Sequence, residues 1–111
     1  MISSKTFRQM AMSLPDVAEL PHFEKASFRI GKSVFATLSE DKNIGMIALT
    51  PEDQYVYIKF DPASFSPCPG AWGRKGYTWI DLKKVKKDVA KEAMDAAYNH
   101  LVKKKETKRK K

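Results

Sequence analysis

Residues 70–82 read GAWGRKGYTWIDL, and the reading of this stretch decides the fold. It holds both tryptophans of the chain, Trp72 and Trp79, with Tyr77, three glycines and the pair Arg74-Lys75. From Tyr77 onward the residues alternate, with Tyr77, Trp79 and Asp81 against Thr78, Ile80 and Leu82. That period of two predicts a β-strand whose faces meet different surroundings. The preceding Gly73-Arg74-Lys75-Gly76 reads as a β-turn tip entering the strand. Upstream, Pro62, Pro67 and Pro69 exclude a central strand before about Gly70, because proline cannot donate to the ladder. Downstream, a long amphipathic helix is predicted from about Lys86 to Lys103. Val85, Val89, Ala93, Ala97 and Leu101 step by four along one side, and Met94, Tyr98 and Val102 widen the stripe. The alanines are small enough for close packing against a sheet.

Toward the N-terminus the pattern is of one helix and then a meander. SSKTFRQMAMSLPD starts with the capping candidates Ser3 and Ser4, repeats Phe7, Met10 with Ala11, and Leu14 at helical spacing, and ends before Pro15. VAELPHFEKA is a connector, with Leu20-Pro21 extended. SFRI and SVFATLSE are strand-like runs on either side of Gly31-Lys32, where glycine supplies the positive φ of a tight hairpin turn. IGMIALT is a third strand after the polar turn Glu40–Asn43. TPEDQYVYIKF carries helix-start signals: Thr50 as cap, Pro51 in the first position, then Glu52 and Asp53 at the positive end of the dipole. The order is helix, three strands, short helix, strand, long helix. It predicts an α+β fold, an antiparallel sheet with the N- and C-terminal helices on one face.

The chain has 111 residues, enough for one domain with its own core, and a net charge of +8. That charge is unevenly placed. The last nine residues, KKKETKRKK, carry seven Lys or Arg and one Glu, so residues 1–102 are nearly balanced with 14 basic and 12 acidic side chains. The expectation is a domain over 1–102 and a basic, disordered tail over 103–111. MISSKTFRQM lacks the apolar core of a signal peptide, no run is long enough to span a membrane, and Cys68 is the lone cysteine. A cytoplasmic monomer that does not bind membranes is expected.

The sequence gives little support to catalysis. His22 and His100 are far apart, and His22 has only Glu19 and Glu24 near it, so neither a metal nor a cofactor is expected. Cys68 lies in SPCPG with no helix start to lower its pKa. GRKG lacks the Lys-Ser/Thr of a phosphate loop and precedes a strand instead of a helix. One constellation merits weight. Arg29 and Lys32 flank the Gly31 turn, Arg74 and Lys75 occupy the second tip, and Lys83, Lys84, Lys86 and Lys87 follow the late strand. Such tips can contact phosphates. The competing assignment makes these ordinary exposed turns, with the glycines serving turn geometry and Trp72 and Trp79 packing on the core.

The combination of MSLPDVAELPHF, FRIGKSVFATL, LTPED and GAWGRKGYTWIDL, in that order, resembles the MmcQ/YjbR family of small bacterial proteins. The resemblance runs from the first helix to about Lys103. It implies a CyaY-like sandwich and a DNA-binding role through two hairpin wings, whose tips would be Gly31-Lys32 and Arg74-Lys75. Iron binding is not implied, because SSKTFRQMAMSL has no carboxylate. The leading expectation is a non-enzymatic DNA-binding protein of low sequence specificity. Its phosphate contacts would come from Arg29, Lys32, Arg74, Lys75 and Lys84, with Lys108 and Arg109 of the tail. The alternative is a small-molecule or protein-binding module with an aromatic pocket near Trp72, Tyr77 and Trp79, set between helices and sheet. A third is a structural domain whose tail alone touches nucleic acid.

Overall fold

The computed structural model describes residues 1–22 and 25–109, with side chains described for all of these except His22 and residues 107–109. The chain order is α1 (Ser4–Met12), β1 (Ala18–His22), β2 (Lys25–Ile30), β3 (Ser33–Ser39), β4 (Ile44–Ala48), α2 (Pro51–Phe60), β5 (Phe65–Pro67), α3 (Ala71–Arg74), β6 (Tyr77–Asp81) and α4 (Lys87–Arg109). The strands form one antiparallel sheet in the order β1-β2-β3-β4-β6-β5. The fold is α+β, with α1 and α4 both contacting the sheet.

Two strands occupy segments read from sequence as connector and loop. Both contain proline: Pro21 in β1 and Pro67 in β5. These strands are the two edges of the sheet, the positions where a missing N–H need not leave a gap in the ladder. A segment's propensity did not reveal this; its place in the sheet did.

Cross-strand register assigns the faces. Leu38 lies opposite Gly45 and Gly45 opposite Ile80; Ala36 lies opposite Ile47 and Ile47 opposite Thr78. These residues share the helix-covered face, and Phe28 joins them through its pairing with Ala36. The register shifts between Phe28 and Arg29, so that Arg29 pairs with Val34 and Phe35 is an extra residue. A bulge of this kind turns two successive side chains the same way. Phe35 and Ala36 are accordingly both fully buried, and the Phe35 ring meets Tyr98 of α4 edge-on at 5.7 Å.

Helix α1 begins as its sequence indicates, with the Ser3 hydroxyl accepting from the Thr6 N–H at 3.1 Å. Its buried residues are Phe7, Met10 and Ala11. The Phe7 ring stands edge-on to Phe28 at 6.1 Å and lies over Gly45, where any β-carbon would meet it at 2.6 Å. Burying Phe7 stabilises the fold by about 1.5–3 kcal/mol. Arg8, on the outer side, donates to Glu19 of β1 and to Glu40 of the β3–β4 turn, which raises its pKa further through those hydrogen bonds. Helix α2 is capped by Thr50, whose hydroxyl accepts from the Asp53 N–H. It buries Tyr57 against Phe65, with ring centroids 5.2 Å apart.

Helix α4 buries Ala90, Ala93, Met94 and Ala97, with Val89 and Leu101 partly buried beside them. It does not stop near Lys103 but runs to Arg109, about 35 Å in all. Lys and Glu are good helix formers, and cations are favoured at a helix C-terminus. Lys110 and Lys111 lie outside the described residues. Among the described residues no helix is long and apolar enough to cross a membrane.

Candidate functional site

Antiparallel pairing brings the β2–β3 turn, the end of β4 and the start of β6 to one end of the sheet, since Arg29 pairs with Val34 and Ala48 with Tyr77. The C-terminal part of α4 arrives at the same end. Gly31 takes φ 61° at the hairpin tip, as its sequence requires, and Lys32 beside it is exposed. Lys105 Nζ reaches this turn, 3.5 Å from where a side chain on Gly31 would begin. A cleft of about 410 Å³ lies between Val34, Leu49, Lys75, Tyr77, His100 and Lys104. A second, of about 270 Å³, lies between Ser33, Val34, Tyr77, Lys104 and Lys105.

The second tip is not a hairpin wing. Residues 71–74 form the single turn α3, closed by the Lys75 N–H donating to the Ala71 and Trp72 carbonyls. Gly76 then turns the chain into β6 with φ 110°. The segment is held from below by Gln54 of α2, whose amide donates to the Gly73 and Tyr77 carbonyls at 3.0 and 3.1 Å. Lys75 projects over the Trp72 ring, 5.3 Å from its centroid, and Trp72 meets Tyr77 edge-on at 5.0 Å.

The tryptophans are not core residues. Trp72 is 60% exposed and Trp79 40% exposed. By register Trp79 lies opposite Met46, and Met46 opposite Thr37, on the face turned away from α1 and α4. The aromatic cleft is there, about 460 Å³ with Lys25, Thr37, Met46, Cys68, Trp72 and Trp79 among its walls, and not between helices and sheet as the sequence reading had it. Val34 and Tyr77 line this cleft and both basic ones, so the three are neighbours. None of the residues lining them carries a carboxylate. A smaller depression continues from Trp79 past Ser39 to Lys25 and Lys42. Burial pushes the Cys68 thiol up to about 11, against the opposing pull of Lys25 and the Trp79 indole, so it is a poor nucleophile at neutral pH.

Of the sequence-predicted cations, Lys32 and Lys75 lie on turns at this same end of the sheet, with Arg74 exposed next to Lys75. Arg29 is half-buried on the strand leading to the turn, its Nε donating to the Ser27 hydroxyl at 2.8 Å. Lys84 follows the opposite end of β6 and is not part of the group. The side chains of Lys108 and Arg109 lie outside the described residues, as do Glu24 and the side chain of His22. Sequence reasoning missed Lys25 and Lys42, weighed His100 only as a metal ligand, and took Lys104 and Lys105 only as part of the basic tail. The i,i+4 spacing of His100 with Lys104, and of Leu101 with Lys105, was the available signal, once the helix is known to continue. A further cleft, about 650 Å³ between Thr6, Met10, Ser13, Lys87 and Lys91, is an open depression between α1 and α4. Lys91 is paired there with Asp95 at 2.5 Å.

Neither a family model nor a curated protein matches the chain. Among solved structures it is similar to the Deinococcus radiodurans protein DR2400, whose domain is DUF419. The TM-score is 0.76 at 19% identity, over 88% of this chain and 77% of that one. DUF419 corresponds to the MmcQ/YjbR family, so the fold implied by the sequence resemblance is the fold found.

Proposed function

We propose that this domain binds DNA without catalysing a reaction, and that phosphate neutralisation at the basic end of the sheet supplies most of the affinity. The observation that carries this reading is the convergence of Lys75, Lys104 and Lys105 around clefts whose lining residues include no carboxylate, with Lys32 exposed on the turn that Lys105 reaches. Lysines and exposed backbone amides at such turns hold phosphate oxygens and set orientation without reading sequence. Low specificity follows from the packing of α4, whose apolar side faces the sheet instead of offering a recognition surface.

Four phosphate contacts on a duplex give a salt slope of about −3.6, a fall in affinity of roughly 150-fold between 50 and 200 mM salt. The test is binding of the full chain to a labelled duplex across that range. Removing Lys75 and Lys104 together (Lys75→Ala with Lys104→Ala) should reduce the slope by about 2, while Lys84→Ala leaves it unchanged. Equal effects of the two variants, or binding indifferent to salt, would sink the reading. A second reading, a small-molecule site, is favoured by the aromatic cleft of about 460 Å³, within the usual range for ligand pockets. It requires ligand binding that quenches tryptophan fluorescence and does not respond to salt.

A further inference from the structure

The tryptophans pose a problem that phosphate binding alone does not solve. Two indoles exposed by 60% and 40% sit on the sheet face turned away from α1 and α4, where a soluble domain gains nothing from leaving them. They are fixed rather than loose. Trp72 is held edge-on to Tyr77, and Trp79 stands in the centre of the ladder, opposite Met46 on one side and Ser66 on the other. Tyr77 and Trp79 are two residues apart on one strand face, about 7 Å along it. Lys75 belongs to both surfaces: it lines the basic cleft and lies over the Trp72 ring. Lys25, at the far wall of the aromatic cleft, supplies a second cation beyond Trp79.

We propose that this open face takes an unpaired stretch of a single-stranded nucleic acid, with a base stacked on Trp79 and its flanking phosphates held by Lys75 and Lys104 on one side and Lys25 on the other. This rests on the DNA-binding reading and specifies the form of the nucleic acid. Stacking on an exposed indole needs a free π-face, which an unpaired base has and a base inside a duplex lacks, unless unstacking is first paid for. The arrangement of aromatic platform beside positive track is the one that binds single strands irrespective of sequence. The cleft's walls carry cations and no carboxylate, which matches a polyanion.

The experiment compares the full chain binding a labelled 12-nucleotide oligothymidine strand, a duplex of the same length, and thymidine monophosphate, at matched salt. The strand should bind more tightly than the duplex and quench tryptophan fluorescence. Trp79→Ala should weaken strand binding roughly 5- to 150-fold, the range for losing one stacked base, and leave duplex binding within about twofold. Trp79→Phe keeps a stacking face and should retain most of the strand affinity, which guards against a folding defect in the alanine variant. A duplex that binds as well as the strand, or equal losses on both from Trp79→Ala, overturns the inference while leaving phosphate binding intact. Mononucleotide binding as tight as the 12-mer overturns it in favour of a small-molecule pocket. Binding of none of the three overturns the DNA reading itself.

Discussion

Gly76 is the residue on which the placement of Lys75 and Tyr77 depends, and Gly76→Ala is the substitution that examines it. The residue has φ 110°, a conformation that costs a non-glycine residue about 1–3 kcal/mol. There is no room either: a β-carbon there would lie 2.0 Å from the Leu49 carbonyl oxygen, which is backbone and cannot swing aside. Relief requires the turn to move off β4, which breaks the hydrogen bond from the Leu49 N–H to the Gly76 carbonyl at 3.2 Å. The same movement strains the bond from the Thr78 hydroxyl to that carbonyl at 2.8 Å. Leaving such buried backbone groups unpaired adds about 1–3 kcal/mol. The sum is near 4 kcal/mol, which for a domain of this size lowers the Tm by about 15 °C or more. Gly70→Ala is the control, because Gly70 also has a positive φ of 70° but nothing within 4 Å of the added carbon. It should cost less than Gly76→Ala by about 1–3 kcal/mol. Urea and thermal unfolding followed by circular dichroism give both numbers. A Gly76→Ala protein within 1 kcal/mol of the parent, or no worse than Gly70→Ala, would refute the claim that this contact fixes the turn.

Further outcomes follow from the displaced titrations of Cys68 and Tyr57. Cys68, pushed up to about 11 by burial, should hold about 100-fold less thiolate at neutral pH than an ordinary thiol and react with dithiobisnitrobenzoate correspondingly more slowly than the unfolded chain does. Labelling at the unfolded rate would contradict its place in the cleft wall. Tyr57 has its phenol raised well above 10, first by burial and then by donation to Glu92 at 2.9 Å. A raised folded pKa means that its contribution is complete below about pH 10 and is lost as pH climbs beyond that value. The stability advantage of the parent over Tyr57→Phe should therefore be constant from pH 7 to 9 and shrink above 10. An advantage that grows with alkalinity would reverse the assignment. In the mildly alkaline range its size should be about 0.5–1.5 kcal/mol, the worth of one hydrogen bond.

The amphipathic periods of α1, α4 and β6, the caps at Ser3 and Thr50 and the Gly31 turn were all legible in the sequence, because each is set by contacts within a few residues. The prolines in β1 and β5 concealed two strands, since only the completed sheet makes these segments its edges, where proline is tolerated. The same limit applies to the site. Arg74 and Lys75 announced themselves, yet whether they crown a hairpin or close a helical turn depended on Gly73 packing against the Cys68 carbonyl, where a β-carbon would come within 1.9 Å. That Trp72 and Trp79 face outward is a matter of which sheet face α1 and α4 cover; alternation divides the strand into two faces but cannot say which one is buried. Sequence by itself determined a small α+β domain with cations at its turns. Only the tertiary structure brought Lys104 and Lys105, more than seventy residues along the chain, to the turn at Gly31, because the length of α4 and the register of the sheet fix that meeting and no local pattern records it.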